Sequence, residues 1–460
     1  MLVISNFVMI KNRKLHMPRY ILTVIFFAVS LLSYGQYFTH IDDINVDSAG
    51  IYIEDIATGE VILDVNGEKP LIPASITKVV TAATLLSNVS PLHSFVTDVV
   101  AVGNLTDGLL DGNIVVRAVG DPTVESRFFP DNLGFADSVA SNMTRLGIEK
   151  ITGDILFEYP ECLEKPSPQG WLDEDFVWPY GAEFHAVNYA DNRFRLSMPG
   201  AVCSPQVPGI KVKRVKGAKA PVCFREKGSM TVELNRKAAR RGSRELANPV
   251  PESTLRAVMT DMLAGSGIEI VGSKVVFPDK EIAMLVYSHT SPMIYDIVRI
   301  MMQHSHNLIA EGMLLASYPG CQRTEAVRHE VERWNDCGID VSDISIEDGS
   351  GLSRSNRITP YFMADVLAQM QECPYFGHFL DSFPVSGVSG TLKRFMCGTP
   401  LEGRLALKTG SMNGVQCYAG YMLDQSGEPS HIVVVMLNGF RESRGAIKKS
   451  VEKLLLEKLL

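Results

Sequence analysis

Three short runs carry residues that could do chemistry together: Ser75-Ile76-Thr77-Lys78, Ser305-His306-Asn307 and Lys408-Thr409-Gly410, in that order. A serine hydroxyl is too weakly acidic to attack an amide at neutral pH and needs an adjacent base. Lys78, one helical turn after Ser75, shares its face and is the expected base. It must then be neutral in part of the population, which burial and nearby positive charge can arrange. A helix starting at Ser75 also offers the Ser75 N–H to a developing oxyanion. Ser305 would be a second hydroxyl beside Lys78 and Lys408, passing a proton to the leaving amine, while the Asn307 amide holds the substrate's backbone carbonyl. On the third run, alternation puts Leu405, Leu407 and Thr409 on one face and Ala406, Lys408 and Gly410 on the other. Lys408 is expected to bring positive charge to a substrate carboxylate and Thr409 to donate a hydrogen bond to it. Gly410 would let a substrate backbone lie close, and the Ser411 N–H would be the second oxyanion donor. Each run alone is a common chance match, and an ordinary helix with an N-terminal serine explains the first. In combination and in this order they describe a lysine-activated serine facing a carboxylate-binding strand. His304 and His306 flank Ser305, but two histidines at i and i+2 without a third ligand pattern are a poor basis for zinc. No metal or cofactor is expected.

The elements that must hold these residues can be read from periodicity and turn chemistry. Ala49–Glu54 and Val61–Val65 flank Ala57-Thr58-Gly59-Glu60 as a β-hairpin. Pro73 precedes a run from Ala74 to Leu86 patterned as a buried helix, with Ser75 near its start. A long stretch then separates Lys78 from Ser305, so an insertion is expected there. It is strand-rich and contains an internal echo: Leu146–Gly153 and Ser266–Gly272 each follow a helical pattern. Each is followed in turn by a short apolar strand, Asp154–Phe157 and Lys274–Phe277, which suggests two related supersecondary units. Helical patterning returns over Met293–Met302 and Asn307–Ser317. Near the end, Arg404–Met412 and Val415–Leu423 flank Asn413-Gly414 as a tight hairpin. His431–Leu437 adds a strand and Ile447–Leu459 an amphipathic closing helix. The expectation is an α+β fold, with helices around an antiparallel sheet interrupted by a large β-rich insertion.

The first 35 residues carry Lys11, Arg13, Lys14 and Arg19, no acid, and an apolar run from Tyr20 to Tyr34 ending at Gly35. This pattern is that of a secretory signal peptide, and a start at Met17 leaves a leader of ordinary length. The rival is an uncleaved anchor, although about 15 apolar residues is short for a span needing ~20. No later stretch is long and apolar enough to cross a bilayer, so a soluble mature protein is expected. The net charge of −8 argues against nucleic acid as a partner. Lys211 to Arg244 runs against that balance, with twelve lysines and arginines against Glu226 and Glu233. It reads as a solvated loop and hairpin surface, with a docking patch for an anionic polymer as the alternative. Export permits disulfides, but none of the eight cysteines has a C-x-x-C or zinc-like spacing. Cys203 and Cys223 are the best candidate pair, and Cys417 suits a small buried hydrophobe.

The three runs resemble those of the D-alanyl-D-alanine carboxypeptidases and endopeptidases of the penicillin-binding protein superfamily. The similar branch is the low-molecular-mass group with a large insert between the first two motifs, often called class C. Supporting runs are Gly120-Asp121-Pro122-Thr123, Asp348-Gly349-Ser350-Gly351-Leu352-Ser353-Arg354 with Asn356, Phe383-Pro384-Val385-Ser386-Gly387, and Ala419-Gly420-Tyr421. The resemblance covers nearly all of the mature chain. It implies a transpeptidase-like, β-lactamase-like domain in two parts, residues 36–98 and 287–460. Residues 99–286 between them would hold two small β-rich domains. It also implies peptidoglycan stem peptides as substrates and β-lactams as covalent inhibitors, in the periplasm or cell envelope. Oligomeric state stays open. By the same resemblance Asp175 matches the insert residue that attends the stem peptide's third side chain. Tyr180 matches an aromatic wall, and Arg354 and Met412 line that subsite. An Asp–Arg pair suits a side chain ending in both an amine and a carboxylate, such as meso-diaminopimelate. One departure is His306, where this branch usually has an acidic or amide side chain; it bears on pH dependence more than on activity.

Two other readings compete. A serine β-lactamase also acylates on S-x-x-K, but no deacylating Glu motif is identifiable and the large insert favours the peptidase. A non-catalytic wall-binding protein would have lost a chemical residue, whereas Ser75, Lys78, Ser305, Asn307 and Lys408 are all present.

Overall fold

The computed structural model describes residues 48–163, 168, 170–216, 221–272 and 283–460. The leader expected at residues 1–35 and the strand expected at Lys274–Phe277 lie outside the described residues. Strands β1 (Ala49–Asp55) and β2 (Val61–Val65) form the expected hairpin. Pro73 then leads into a short 3-10 turn, Ala74–Ile76, and α1 follows from Thr77 to Asn88. Ser75 therefore sits in the tighter turn that opens the helix, one step outside α1 itself. Helix α1 is buried from Thr77 to Leu86, its polar Thr77, Lys78, Thr81 and Thr84 bonded inside the protein, and ends where Val89 turns extended.

The inserted region opens with the hairpin β3 (Val96–Thr106) and β4 (Leu109–Arg117). Its turn is Asp107-Gly108, both at positive φ, the conformation a two-residue hairpin loop demands. Helix α2 (Phe135–Arg145) is followed by β5 (Lys150–Ile151) and β6 (Ile155–Glu158). Then come β7 (Arg193–Met198), β8 (Val202–Ser204), β9 (Lys211–Val215), β10 (Cys223–Phe224), β11 (Thr231–Asn235) and β12 (Gly242–Ala247). Helix α3 (Pro251–Gly265), β13 (Glu269–Ile270) and β14 (Ala283–Thr290) complete it. The larger sheet runs β13-β5-β4-β3-β14, with β6 also on β4, and α2 and α3 pack against it through Val139, Met143, Leu255 and Met259. Strand β3 starts before residue 99 and its neighbour β14 ends after residue 286, so the insert runs a few residues past the expected 99–286 at both ends. Two three-stranded sheets, β12-β7-β8 and β10-β11-β9, share a second core around Phe194, Leu196, Val232 and Leu234.

The internal echo has a structural meaning. Gly147 and Gly267 both adopt positive φ just past their helices, and Ile148 and Ile268 donate back to Met143 and Leu263. These are matching helix stops, in which a residue without Cβ takes the left-handed conformation. The strands they deliver, β5 and β13, pair in parallel at Lys150–Glu269 and Ile151–Ile270. The basic segment is not a simple hairpin surface, since β9 and β11 run parallel, with β10 antiparallel on the other side of β11. All eight cysteines are free thiols, and the candidate pair Cys203 and Cys223 is not bridged.

Helices α4 (Ile294–His304), α5 (Asn307–Ala316), α6 (Arg323–Asp336), α7 (Pro360–Gln371) and α8 (Phe376–Asp381) lead to β15 (Leu405–Met412), β16 (Val415–Leu423) and β17 (Pro429–Asn438). Helix α9 (Arg444–Leu459) ends the chain. The five-stranded antiparallel sheet has the order β15-β16-β17-β1-β2, so the first hairpin joins the last three strands. Alternation sends Ile432, Val434 and Met436 toward α1, α4, α5 and α7, and Val433, Val435 and Leu437 toward α9. Each such side chain, fully buried, contributes about 1.5–3 kcal/mol of apolar transfer. Among the described residues no helix is long and apolar enough to cross a membrane.

Candidate active site

Ser75 is held by its neighbours' shapes. Ala74 has φ 48°, an unfavourable conformation for a residue with a Cβ, and Gly351 and Gly410 close on the turn from two sides. A Cβ on Gly351 would lie 2.0 Å from Ala74 O, and one on Gly410 would lie 2.6 Å from Pro73 O and 3.0 Å from Ser75 N. The missing side chain of Gly410 thus faces the Ser75 turn. The expectation that it leaves room for substrate is corrected: its space is filled by the backbone around the serine.

Lys78 is fully buried, with Nζ 3.2 Å from Ser75 Oγ, 2.6 Å from Asn307 Oδ1 and 2.6 Å from the Ser350 carbonyl oxygen. A neutral amine has two N–H groups and one lone pair. The two short contacts are to acceptors, which leaves the lone pair to receive the Ser75 hydroxyl proton. Burial pushes the ammonium down to about 7, while the negative charges of Asp348 and Glu311 pull in the opposite direction. Those acids are themselves pinned. Asp348 accepts from Trp171 Nε1 at 2.8 Å, Ser353 N at 2.7 Å, Gly351 N at 2.8 Å and Asn356 Nδ2 at 2.7 Å. Glu311 accepts from Ser350 N at 2.9 Å and pairs with Arg323. The lysine is therefore poised where its two protonation states are both populated at neutral pH.

Ser305 caps the C-terminus of α4 in the left-handed conformation (φ 53°), which turns the chain directly into α5 at Asn307. Its Oγ lies 2.9 Å from Lys408 Nζ, which also donates to Thr409 O at 2.7 Å. Lys408 is wholly buried, and burial together with the charge of Lys78 holds its ammonium well below the usual lysine range. Lys408 lies beside Ser305, where the sequence places that hydroxyl, and its amine is buried rather than open to solvent. Asn307 Oδ1 is taken by Lys78 and one N–H of Nδ2 by Tyr180 O at 2.8 Å, which leaves one N–H for a substrate carbonyl.

Strand β15 is the edge of its sheet. Leu407 N donates off that edge to Pro384 O, so by alternation the N–H groups of Thr409 and Ser411 also point away from β16. An extended peptide can pair there. Thr409 Oγ1 donates to Thr391 Oγ1 at 2.8 Å, and Ser411 Oγ to Gln416 Oε1 at 2.8 Å.

The insert reaches this site. Tyr180, whose carbonyl holds Asn307, donates its hydroxyl to Asp175 Oδ1 at 3.1 Å. Burial raises the half-buried Asp175 carboxyl, with Tyr180 and the charge of Arg354 opposing. Arg354 therefore lies within electrostatic reach of Asp175, although the two form no direct ion pair among the described residues. Met412 ends β15, its carbonyl taken by Arg444 Nη2 at 3.3 Å. His304 and His306 both pack on Phe128, with ring centroids 4.7 and 5.2 Å away, and among the described residues no cluster could hold a metal. Sequence reasoning missed the Ser350 carbonyl, Glu311 and Thr391. Asp348 and Ser350 belonged to a recognised run, but their approach to Lys78 leaves no local signal.

A turn-borne serine beside a buried lysine with a lowered pKa, a serine–asparagine turn opposite and a strand edge open from Thr409 define a serine hydrolase of the acyl-enzyme kind. The chain belongs to the D-Ala-D-Ala carboxypeptidase 3 (S13) family, whose model matches residues 36–457. It is 27% identical over 425 residues to the D-alanyl-D-alanine carboxypeptidase DacB of Haemophilus influenzae, covering 85% of this chain and 86% of that protein. It is 28% identical to the D-alanyl-D-alanine carboxypeptidase of an Actinomadura species, covering 84% of this chain and 77% of that one. The crystal structure of penicillin binding protein 4 (dacB) from H. influenzae superposes with a TM-score of 0.77 at 24% identity, over 91% of this chain and 98% of that one. The fold is thus that of this peptidase group, and the chain is a serine-type D-Ala-D-Ala carboxypeptidase.

Proposed function

We propose that the protein is exported and cleaves the terminal D-Ala–D-Ala bond of peptidoglycan stem peptides, and D,D-cross-links between them, through an ester on Ser75. The single observation that carries this reading is the Lys78 amine, buried and bonded to two acceptors, with its remaining position on Ser75 Oγ at 3.2 Å. Lys78 takes the hydroxyl proton as Ser75 attacks the penultimate D-Ala carbonyl. The oxyanion forms between the N–H groups of Ser75 and Ser411. The proton passes to the leaving amine through Ser305, with Lys408 at its back. Water then hydrolyses the ester, with Lys78 again as base. The edge of β15 from Thr409 to Ser411 receives the peptide, Asn307 its carbonyl, and Asp175, Tyr180, Arg354 and Met412 the third stem residue. On this reading residues 36–95 and 291–460 form the catalytic unit, and the insert between them supplies the specificity wall. A penicillin mimics the acyl-D-Ala-D-Ala end, and a second crystal structure of the H. influenzae protein is of its complex with a β-lactam. Incubation with purified stem pentapeptide and cross-linked muropeptides tests the proposal. Release of D-alanine and of monomers is expected, and intact substrates after prolonged incubation with folded protein would overturn it.

A further inference from the structure

The middle residue of the second motif points away from the chemistry and into the insert. His306 is the N-cap of α5, its Nδ1 accepting from Ile309 N at 3.4 Å, and its Nε2 lies 3.6 Å from Asp191 Oδ1. Arg193 Nη2 also approaches Nε2, at 3.3 Å. A backbone N–H on Nδ1 requires that nitrogen to be unprotonated, so the neutral ring carries its proton on Nε2 and donates toward Asp191. Arg193 then contributes charge and no hydrogen bond to the ring. It also lies 4.0 Å from Glu245, which Arg127 and Arg195 approach at 2.8 and 3.7 Å.

Asp191 is built into this position. It is 2% exposed, accepts from Ser126 Oγ at 2.6 Å and has Arg127 Nε 3.7 Å from Oδ2. Its backbone is at φ 56°, between Ala190 and Asn192, which are also at positive φ. Asn192 ties this turn down by donating to Glu183 O and Asn188 Oδ1, both at 2.8 Å. Ser126 follows the Gly120–Thr123 run, where Asn188 Nδ2 holds Asp121 O, so two loops of the insert converge on one carboxylate. Burial raises the Asp191 carboxyl, but His306 and Ser126 outweigh it and keep the group ionised. Burial likewise keeps His306 neutral, against a smaller pull from Asp191.

We propose that Asp191 and His306 are a positioning pair: the insert, through Asp191, holds the imidazole that caps α5 and so sets Ser305 and Asn307 against the two lysines. The consequence follows from the chain path. His306 is the single residue between Ser305, in its left-handed turn, and Asn307, whose Oδ1 meets Lys78. A side chain free to rotate there loosens both neighbours at once. This rests on the proposed roles of Ser75, Lys78, Ser305 and Asn307.

The test is the second-order rate of acylation of the purified protein by a fluorescent penicillin at 25 °C, with melting curves alongside. His306→Ala and Asp191→Ala should each slow acylation about ten-fold, and the double variant should be no more than two-fold slower than the slower single, since the pair acts as a unit. His306→Asn retains an N-cap acceptor and should recover most of the loss. In that background Asp191→Ala should change the rate less than two-fold, because the shorter amide no longer leans on the carboxylate. If Asp191→Ala slows acylation equally in both backgrounds, it acts through the loop around Ser126, and the positioning role is wrong. If His306→Ala does not fold, the His306→Asn pair still decides. A folded wild-type protein that takes no penicillin would remove the Ser75 reading itself, and this role with it.

Discussion

Replacing Gly410 by alanine places a methyl group 2.6 Å from Pro73 O and 3.0 Å from the backbone nitrogens of Ser75 and Ile76. All three are backbone atoms, so no side chain can rotate away, and either β15 or the Ser75 turn must retreat. An ordinary carbon–oxygen contact needs roughly 0.5–1 Å more, and a displacement of that size at a reacting group costs about a hundred-fold in rate. Gly410 is not at positive φ, so the alanine backbone itself is unstrained. Removing glycine from a strand even returns about 0.5–1 kcal/mol, which partly offsets an overpacking cost of about 1–3 kcal/mol. The variant should therefore fold, melt a few degrees lower, and be acylated by penicillin about a hundred-fold more slowly at 25 °C. Gly377→Ala on α8, where a Cβ meets nothing within 4 Å, is the control and should acylate normally. Acylation of Gly410→Ala within three-fold of wild type would refute the argument that β15 sets the position of Ser75.

Two further outcomes follow from the site. Acylation should rise with pH through about 7, because Lys78 must lose its proton to act as base; at pH 5.5 the rate should be roughly thirty-fold below its plateau, and a flat profile from pH 5.5 to 8.5 would exclude Lys78 as that base. Asp175→Ala should slow cleavage of peptides whose diaminopimelate carries a free amine by about ten- to a hundred-fold, while penicillin labelling changes little; equal losses on both ligands would make Asp175 a structural residue.

The parts of this site legible in the sequence are those whose residues are neighbours along the chain. Ser75 and Lys78 are one helical turn apart, Lys408 to Ser411 alternate on one strand, and the Asn413-Gly414 turn fixes the hairpin that presents them. The helix stops at Gly147 and Gly267 were legible as an echo because identical turn chemistry repeats. What was hidden depends on convergence. Nothing local marks Asp348 and Glu311 as the charges opposing the desolvation of Lys78, since both reach it from other elements. Gly410 looked like a gap for substrate because a strand pattern says which face a residue occupies, not what packs there. The full burial of Lys408 is hidden for the same reason, since the pattern gives its face and not its depth, whereas its place beside Ser305 was expected. His306 drew attention as a departure from its family's pattern, but its partner Asp191 lies on a distant loop of the insert.

The central claim is that the acyl group sits on Ser75. The direct measurement is to react the protein with penicillin, digest it and locate the adduct by tandem mass spectrometry, with Ser75→Ala treated in parallel. The account predicts one penicilloyl group per chain, on the peptide and residue of Ser75, and no adduct on the variant. An adduct on Ser305 or elsewhere, or a Ser75→Ala protein that still acylates, would contradict it.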